Sequence, residues 1–453
     1  MKSTHNFRER AHILVDQLAD YLEGLGTDEQ ICIPYQTPEQ SYAYWENFSG
    51  DETALYEAVL KRSISVHHPG YIGHQVSVPS TEGILASWVS ELLNNGSAVY
   101  EMGMAANAIE RRVSKEMALV FGLPSTSTGV FTSGGSLANL TAMLAARAAK
   151  APNVEGQKLC VLVSDQAHYC IDRAVRIMGW GAEGIIEVAT DEDFRVTATG
   201  LEDALGVAKQ RGRKPIALVG MACTTSTGTY DDLQLLGAFA KTQKLWFHVD
   251  AAHGGVACFS ESEKAKVRGI EQADTITLDA HKMMRVPALT TLLLYNDEVR
   301  SYRTFSQKAD YLWGEAGPEW YHSGQRTVEC TKIMMGMRVL AVTMGSGMEM
   351  LGKYVEYQYK LARAFAKTLQ ERASWEIAVE PMSNIVCFRQ IPAEEIDVNT
   401  YNQELRERLL QDGRWYVVST RLRGTYWLRV TLMNPETSLE SLMEMIAFAE
   451  KHS

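Results

Sequence analysis

The sequence predicts an α/β fold whose centre is a largely parallel sheet, followed by a smaller α+β domain. Three observations predict it. Between about residues 128 and 295, short β-branched or aliphatic runs alternate with longer amphipathic stretches. These runs are apolar at consecutive positions, as strands covered on both faces by crossover helices must be. After about Val339 the pattern changes to long helical stretches separated by isolated strand-like runs.

Taken in order, the chain opens with Phe7–Leu25, where Ile13, Leu14, Leu18, Tyr21 and Leu22 recur at helical spacing before Gly24 and Gly26. This reads as an amphipathic arm whose apolar face needs a surface, on its own domain or on another subunit. The expected strands are an extended run into Thr132, then LCVLVS from Leu159, IIEVA from Ile185, IALVGMA from Ile216, LWFHVD from Leu245, TITLD from Thr275 and LTTLLLY from Leu289. Beyond them the sequence predicts a helix through Met348–Leu369, the strand IVCFRQ, a helix near Thr400–Gln411, the strand YWLRVTL and a last helix from Leu439. The expected division is a helical arm over 1–65, a large α/β domain over 66–345 and a small α+β domain over 346–453. No repeat or low-complexity tract interrupts it.

Composition narrows the function classes. Of 453 residues, 46% are hydrophobic and 22% charged, which is ordinary for a globular protein. Fifty-five acidic against 44 basic side chains give a net charge of -11, which repels polyanions and argues against nucleic-acid and anionic-membrane partners. The 7 cysteines are scattered without a C-x-x-C pair, so neither a disulfide framework nor a metal site is expected, and a reducing cytoplasm fits. The first residues lack a signal-like apolar core, and no later run approaches the roughly 18 residues of a membrane span.

Three motifs carry chemistry. In Gly129–Asn139, GVFTSGGSLAN, an extended run ends in Ser133-Gly134-Gly135 just before a helix, which makes a seat for one small anion or simply a helix start. In LWFHVDAAHGG, a buried strand delivers Asp250, a carboxylate that needs a cationic or hydrogen-bonded partner there, or else caps a turn. In ADTITLDAHKMMRVP, Lys282 follows a strand end and precedes Met283-Met284. A lysine so placed is either desolvated, with a lowered pKa and a nucleophilic amine, or an ordinary surface lysine.

Jointly, a phosphate seat, an acidic strand end and a lysine at another strand end match what pyridoxal phosphate requires. HHPGYIGHQ, FTSGGSLANL, SDQAHYCIDRA, MACTTSTGTYDDL, HVDAAHGG, LDAHKMM and WLRVTLMNPET together resemble the group II pyridoxal-phosphate-dependent amino-acid decarboxylases, which act on glutamate, cysteine sulfinate, aromatic amino acids or diaminobutyrate. The resemblance spans most of the chain. It implies a fold type I large domain, pyridoxal 5'-phosphate as cofactor, amine and carbon dioxide as products, and a homodimer clasped by the N-terminal arm.

Carried over by position, the resemblance makes Lys282 the lysine joined to the cofactor aldehyde and Asp250 the partner of the pyridine nitrogen. His168 would stack on one face of the ring and Ala252 would pack under the other. Thr224 would lie near the ring substituents, with Ser133, Gly134, Gly135 and His281 on the phosphate side. The stretch FSQKADYLWGEAGPEWYHSGQRT resembles the catalytic loop, with Tyr311 as the proton donor to the substrate carbon, and Arg429 resembles the arginine that holds the substrate carboxylate. His74 and Gln75, in the side-chain pocket segment, tilt the expected substrate toward a polar or acidic side chain, although an aromatic or diamino acid stays open. The same groups also serve aminotransferases and carbon–carbon lyases, and a non-enzymatic α/β binding protein is the reading from another class. D-x-H-K and the Tyr311 loop favour decarboxylation.

Overall fold

The computed structural model describes residues 3–25, 31–305 and 319–452. By contact the chain divides into two compact units. One comprises residues 1–78, 361–380 and 384–453, and the other residues 79–360 and 381–383. The N-terminal segment therefore groups with the C-terminal one, and the boundaries fall at 78/79 and 360/361, where the sequence pattern suggests 65/66 and 345/346. Distant segments paired in space leave no mark on local composition.

The larger unit is built on seven strands: β1 Thr128–Thr132, β2 Leu159–Ser164, β3 Ile185–Val188, β4 Lys214–Met221, β5 Trp246–Asp250, β6 Thr275–Asp279 and β7 Thr291–Tyr295. Their order across the sheet is β1-β7-β6-β5-β4-β2-β3. Strands β3, β2, β4, β5 and β6 are parallel, whereas β7 is antiparallel to both β6 and β1. Five of the seven, β1, β2, β5, β6 and β7, are buried at every position, as runs covered on both faces require. Val161, Val163, Ala217, Val219 and Trp246 share one core with Ala138, Ala142 and Met143 of the helix Gly135–Lys150.

Register decides what meets at the sheet edge. Met221 lies opposite Asp250, and Asp250 opposite Thr277, so β4 and β5 end level. Asp279 lies opposite Thr291, which in turn lies opposite Thr132. The residues that follow β1 thus leave the sheet beside the end of β6.

In the other unit, β8 Trp375–Ile377, β9 Ile385–Gln390, β10 Val418–Leu422 and β11 Thr425–Thr431 form an antiparallel sheet in the order β10-β11-β9-β8. Leu361, Phe365, Leu369, Val386, Phe388, Leu405, Leu428 and Ile446 build its core. The expected arm is the helix Ser3–Gly24, and the later helices run over Gly347–Gln370, Val398–Asp412 and Leu439–Lys451. Among the described residues no helix is long and apolar enough to cross a membrane.

Candidate active site

A cavity of about 290 Å³ opens at the edge of the large sheet where β4, β5 and β6 end. Ser133, Gly134, Gly135, His168, Asp250, Ala252, His281 and Lys282 all line it, so eight of the positions singled out in the sequence converge. Three turns deliver them: the one after β1 into the helix Gly135–Lys150, the one after β5, and the one after β6.

The first turn is built for an anion. Gly134, at the start of the helix, has φ +111°, a conformation open to glycine and rarely to other residues. Among the described residues no side chain caps the helix, and its first N–H groups face the cavity with the positive end of the helix dipole behind them. Gly135 is needed for a different reason. A Cβ there would stand 2.9 Å from both carboxylate oxygens of Asp279. Gly135→Ala should therefore displace Asp279 and weaken binding of the phosphate-bearing cofactor by about 1–3 kcal/mol, the usual penalty of overpacking. Titrating the apoprotein with pyridoxal phosphate and following fluorescence checks this, and wild-type affinity would remove the close approach from the argument.

Asp250 is buried, and each of its oxygens takes a donor: Ala252 N–H to Oδ1 at 3.1 Å and Asn139 Nδ2 to Oδ2 at 2.8 Å. Lys282 Nζ sits 3.0 Å from Asp279 Oδ2. Burial alone pulls the lysine pKa down, but the carboxylates of Asp279 and Asp250 outweigh it, and the net shift is upward. This corrects the expectation of a neutral amine. The sequence shows the apolar Met283-Met284 pair, but not that the carboxylate three residues earlier turns back onto the ammonium. Burial pushes Asp279 up, yet Lys282, then His281, then the Thr291 hydroxyl at 2.5 Å bring it below the usual carboxylate range. His168 is held below the ordinary histidine range, chiefly by burial, with Asp250 opposing. Its Nδ1 accepts from Cys170 N–H at 3.3 Å, which pins the ring.

Thr224 does not line the cavity. Its hydroxyl is fully buried and spent on Thr227 Oγ1 at 2.7 Å and Thr229 Oγ1 at 3.2 Å, while its neighbours Cys223 and Thr225 face the site. Tyr311 lies outside the described residues. His74, Gln75 and Arg429 belong to the other unit. There Arg429 is buried in β11, opposite Cys387 of β9 and Val418 of β10. Burial, then Arg429 and Arg406, lower the pKa of His74. Gln75 Nε2 is buried with no acceptor among the described residues. Asp279 and Asn139 are among the cavity groups that the sequence reading did not assign. Asp279 was readable as the acid of the D-x-H-K motif. Asn139 is one turn into the helix that follows the glycines.

His248, fully buried in β5 behind the site, supplies a test of the fold that holds it. Burial lowers its pKa from 6.5 to about 4. Between those values the unfolded chain binds a proton that the folded chain does not, so stability rises with pH there and is lost as pH falls from 6.5 toward 4. The contribution is up to about 3 kcal/mol. Denaturant midpoints across this range should vary less in His248→Gln than in the wild type; parallel curves would show that His248 is not the group responsible.

Taken together, the cavity has a seat for a phosphate, a buried carboxylate placed to face a protonated ring nitrogen, and an amine able to bond a carbonyl carbon. Those three groups fit pyridoxal phosphate. Comparison with known proteins agrees. Residues 43–391 match the pyridoxal-dependent decarboxylase conserved domain. An aromatic-L-amino-acid decarboxylase of Bacillus atrophaeus is 26% identical over 98% of this chain and 95% of its own length. An aspartate 1-decarboxylase of Aliivibrio fischeri is 27% identical over 86% of this chain and 81% of its own. The fold is that of Oryza sativa TDC, solved with PLP and tryptamine, at a TM-score of 0.89 and 22% identity over 99% of this chain and 98% of that one. The chain accordingly belongs to the pyridoxal-dependent decarboxylase family and is a carboxy-lyase that uses pyridoxal phosphate to decarboxylate an amino acid.

Proposed function

We propose that the substrate is an L-amino acid with an acidic side chain, such as glutamate, aspartate or cysteine sulfinate. The observation that carries this reading is the setting of His74, on which Arg406 acts in addition to the Arg429 assigned to the substrate carboxylate, next to the buried donor of Gln75. Such a set favours an anion and leaves an aromatic ring with unmatched donors. The relatives act on both kinds of substrate, so the test is direct. Carbon dioxide release should be fastest with one of the three acidic amino acids and at least about tenfold slower with tyrosine, tryptophan or diaminobutyrate. Faster release from an aromatic acid would overturn the proposal.

Within this reading, Lys282 provides the nitrogen that holds the cofactor covalently, and the uncapped start of the helix Gly135–Lys150 receives its phosphate, with His281 on the same side. Asp250 holds a proton at the ring nitrogen. His168 and the small Ala252 confine the ring from its two faces. Arg429 orients the substrate carboxylate, and Tyr311 delivers a proton to the substrate carbon. When bound, pyridoxal phosphate supplies the electron-withdrawing ring that accepts the electrons released with carbon dioxide.

The working form is proposed to be a homodimer in the cytoplasm. Supporting a second copy, the helix Ser3–Gly24 leaves Phe7, Ile13 and Leu22 exposed, and the helix Thr81–Leu93 leaves Val89, Leu92 and Leu93 exposed. Light scattering should return twice the 50.5 kDa of the chain.

A further inference from the structure

A chain of buried hydrogen bonds ends on Asp250. Trp246, His248 and Asp250 alternate along β5 and so share one face of the sheet, beside Thr275 and Thr277 of β6. Trp246 Nε1 donates to Thr275 Oγ1 at 2.9 Å, and Thr275 Oγ1 lies 3.0 Å from His248 Nδ1. His248 Nε2 lies 3.0 Å from Asn139 Oδ1, which also accepts from Thr277 Oγ1 at 2.7 Å. Asn139 Nδ2 then donates to Asp250 Oδ2 and to Cys170 Sγ at 3.0 Å.

The direction of this chain is forced. An indole N–H only donates and an amide oxygen only accepts, so Thr275 receives from Trp246, and His248 carries its hydrogen on Nε2. With a pKa of about 4 the imidazole is neutral at working pH, which leaves Nδ1 bare to receive the Thr275 hydroxyl. Turning the Asn139 amide over would set its oxygen against the Asp250 carboxylate, which only accepts. One orientation alone satisfies every partner.

We propose that Asn139 is a positioning residue for the reaction: fed by His248 and Thr277, it holds the Asp250 carboxylate aimed at the ring nitrogen. With Ala252 N–H on the other oxygen, the carboxylate cannot rotate without breaking a bond. Asn139 also lies one turn into the helix whose first residues form the phosphate seat, so a single element fixes both ends of the cofactor site. In a buried, water-poor setting, aligned hydrogen bonds reinforce one another, and a broken one is not replaced by solvent. The inference rests on the reading of Asp250 given above. Asp250 in turn acts on the titratable groups Lys282, His168, His248 and Cys170.

The test uses holoenzyme. In Asn139→Leu the dissociation constant of pyridoxal phosphate should rise about ten- to a hundredfold, as expected for a lost hydrogen bond to a charged group. The maximal rate should fall by a similar factor with KM nearly constant, and the visible absorption of the bound cofactor should shift. An unchanged spectrum and cofactor affinity, whatever the melting temperature, would overturn the proposal. Should Asn139→Leu fail to fold, the pair His248→Gln and His248→Phe decides. Gln keeps a donor for Asn139 and Phe does not, so Phe should shift the spectrum more; equal spectra would overturn the proposal. Asp250→Asn separates the two levels: if it leaves the spectrum unaltered, the reading of Asp250 fails, and if it shifts the spectrum while Asn139→Leu does not, only the role of Asn139 fails.

Discussion

Replacing Lys282 with alanine is expected to lower the rate of carbon dioxide release by about a thousandfold or more, the scale seen when a covalent nucleophile is removed. It should also abolish attachment of the cofactor to the protein by borohydride. Two effects combine. The covalent anchor disappears, and Asp279 loses the ammonium 3.0 Å away that holds its buried charge in place. Lys282→Arg separates them, because a guanidinium restores the positive charge beside Asp279 yet cannot lose a proton to bond a carbonyl carbon. The arginine variant should keep a wild-type melting temperature and stay inactive. The alanine variant should be both inactive and less stable at neutral pH. Activity in either variant would remove Lys282 from the chemistry.

Much of this site is legible in the sequence because its parts sit at the ends of strands whose apolar runs are unmistakable. Thr275–Asp279 and Trp246–Asp250 are buried at every position, so the acids that close them stand out against the runs before them. The strand LTTLLLY is equally plain, but its direction is not: β7 runs antiparallel between β6 and β1, and a run buried on both faces carries no trace of orientation. That one strand places Thr132, and with it Gly134 and Gly135, beside Asp279. Hence the tight approach at Gly135 was beyond reach from local pattern, as it depends on which strand lies next to which, and the ammonium state of Lys282 turns on a fold of the chain over three residues that composition does not show. Thr224 fails for a more local reason. In the run Cys223, Thr224, Thr225 the side chains alternate, and the resemblance selected the position facing Thr227 and Thr229 in place of those facing the cavity. Asn139 was hidden because an asparagine inside a helix reads as a weak helix former, and only the buried donors on β5 and β6 give it a task.

Asp250→Asn should lower the maximal rate by about two to three orders of magnitude while leaving the fold intact. The substitution keeps the shape of the side chain and removes its charge, so a ring nitrogen facing it no longer has an anion to hold its proton. It also creates a local conflict. Asn139 Nδ2 and Ala252 N–H both point at position 250, and an amide offers one accepting oxygen where the carboxylate offers two. One donor is left unmatched in a buried site, whichever way the amide turns, at about 1–3 kcal/mol. Asp250→Glu isolates the charge from its placement, since it keeps the carboxylate but moves it by one methylene. If charge dominates, the glutamate variant recovers most of the rate and the wild-type absorption of the bound cofactor. If placement dominates, glutamate and asparagine are equally slow, because a carboxylate pushed off its two donors no longer lies where the ring nitrogen needs it. The three bonds that converge here, from Asn139 and Ala252 to Asp250 and from His248 to Asn139, favour the second outcome.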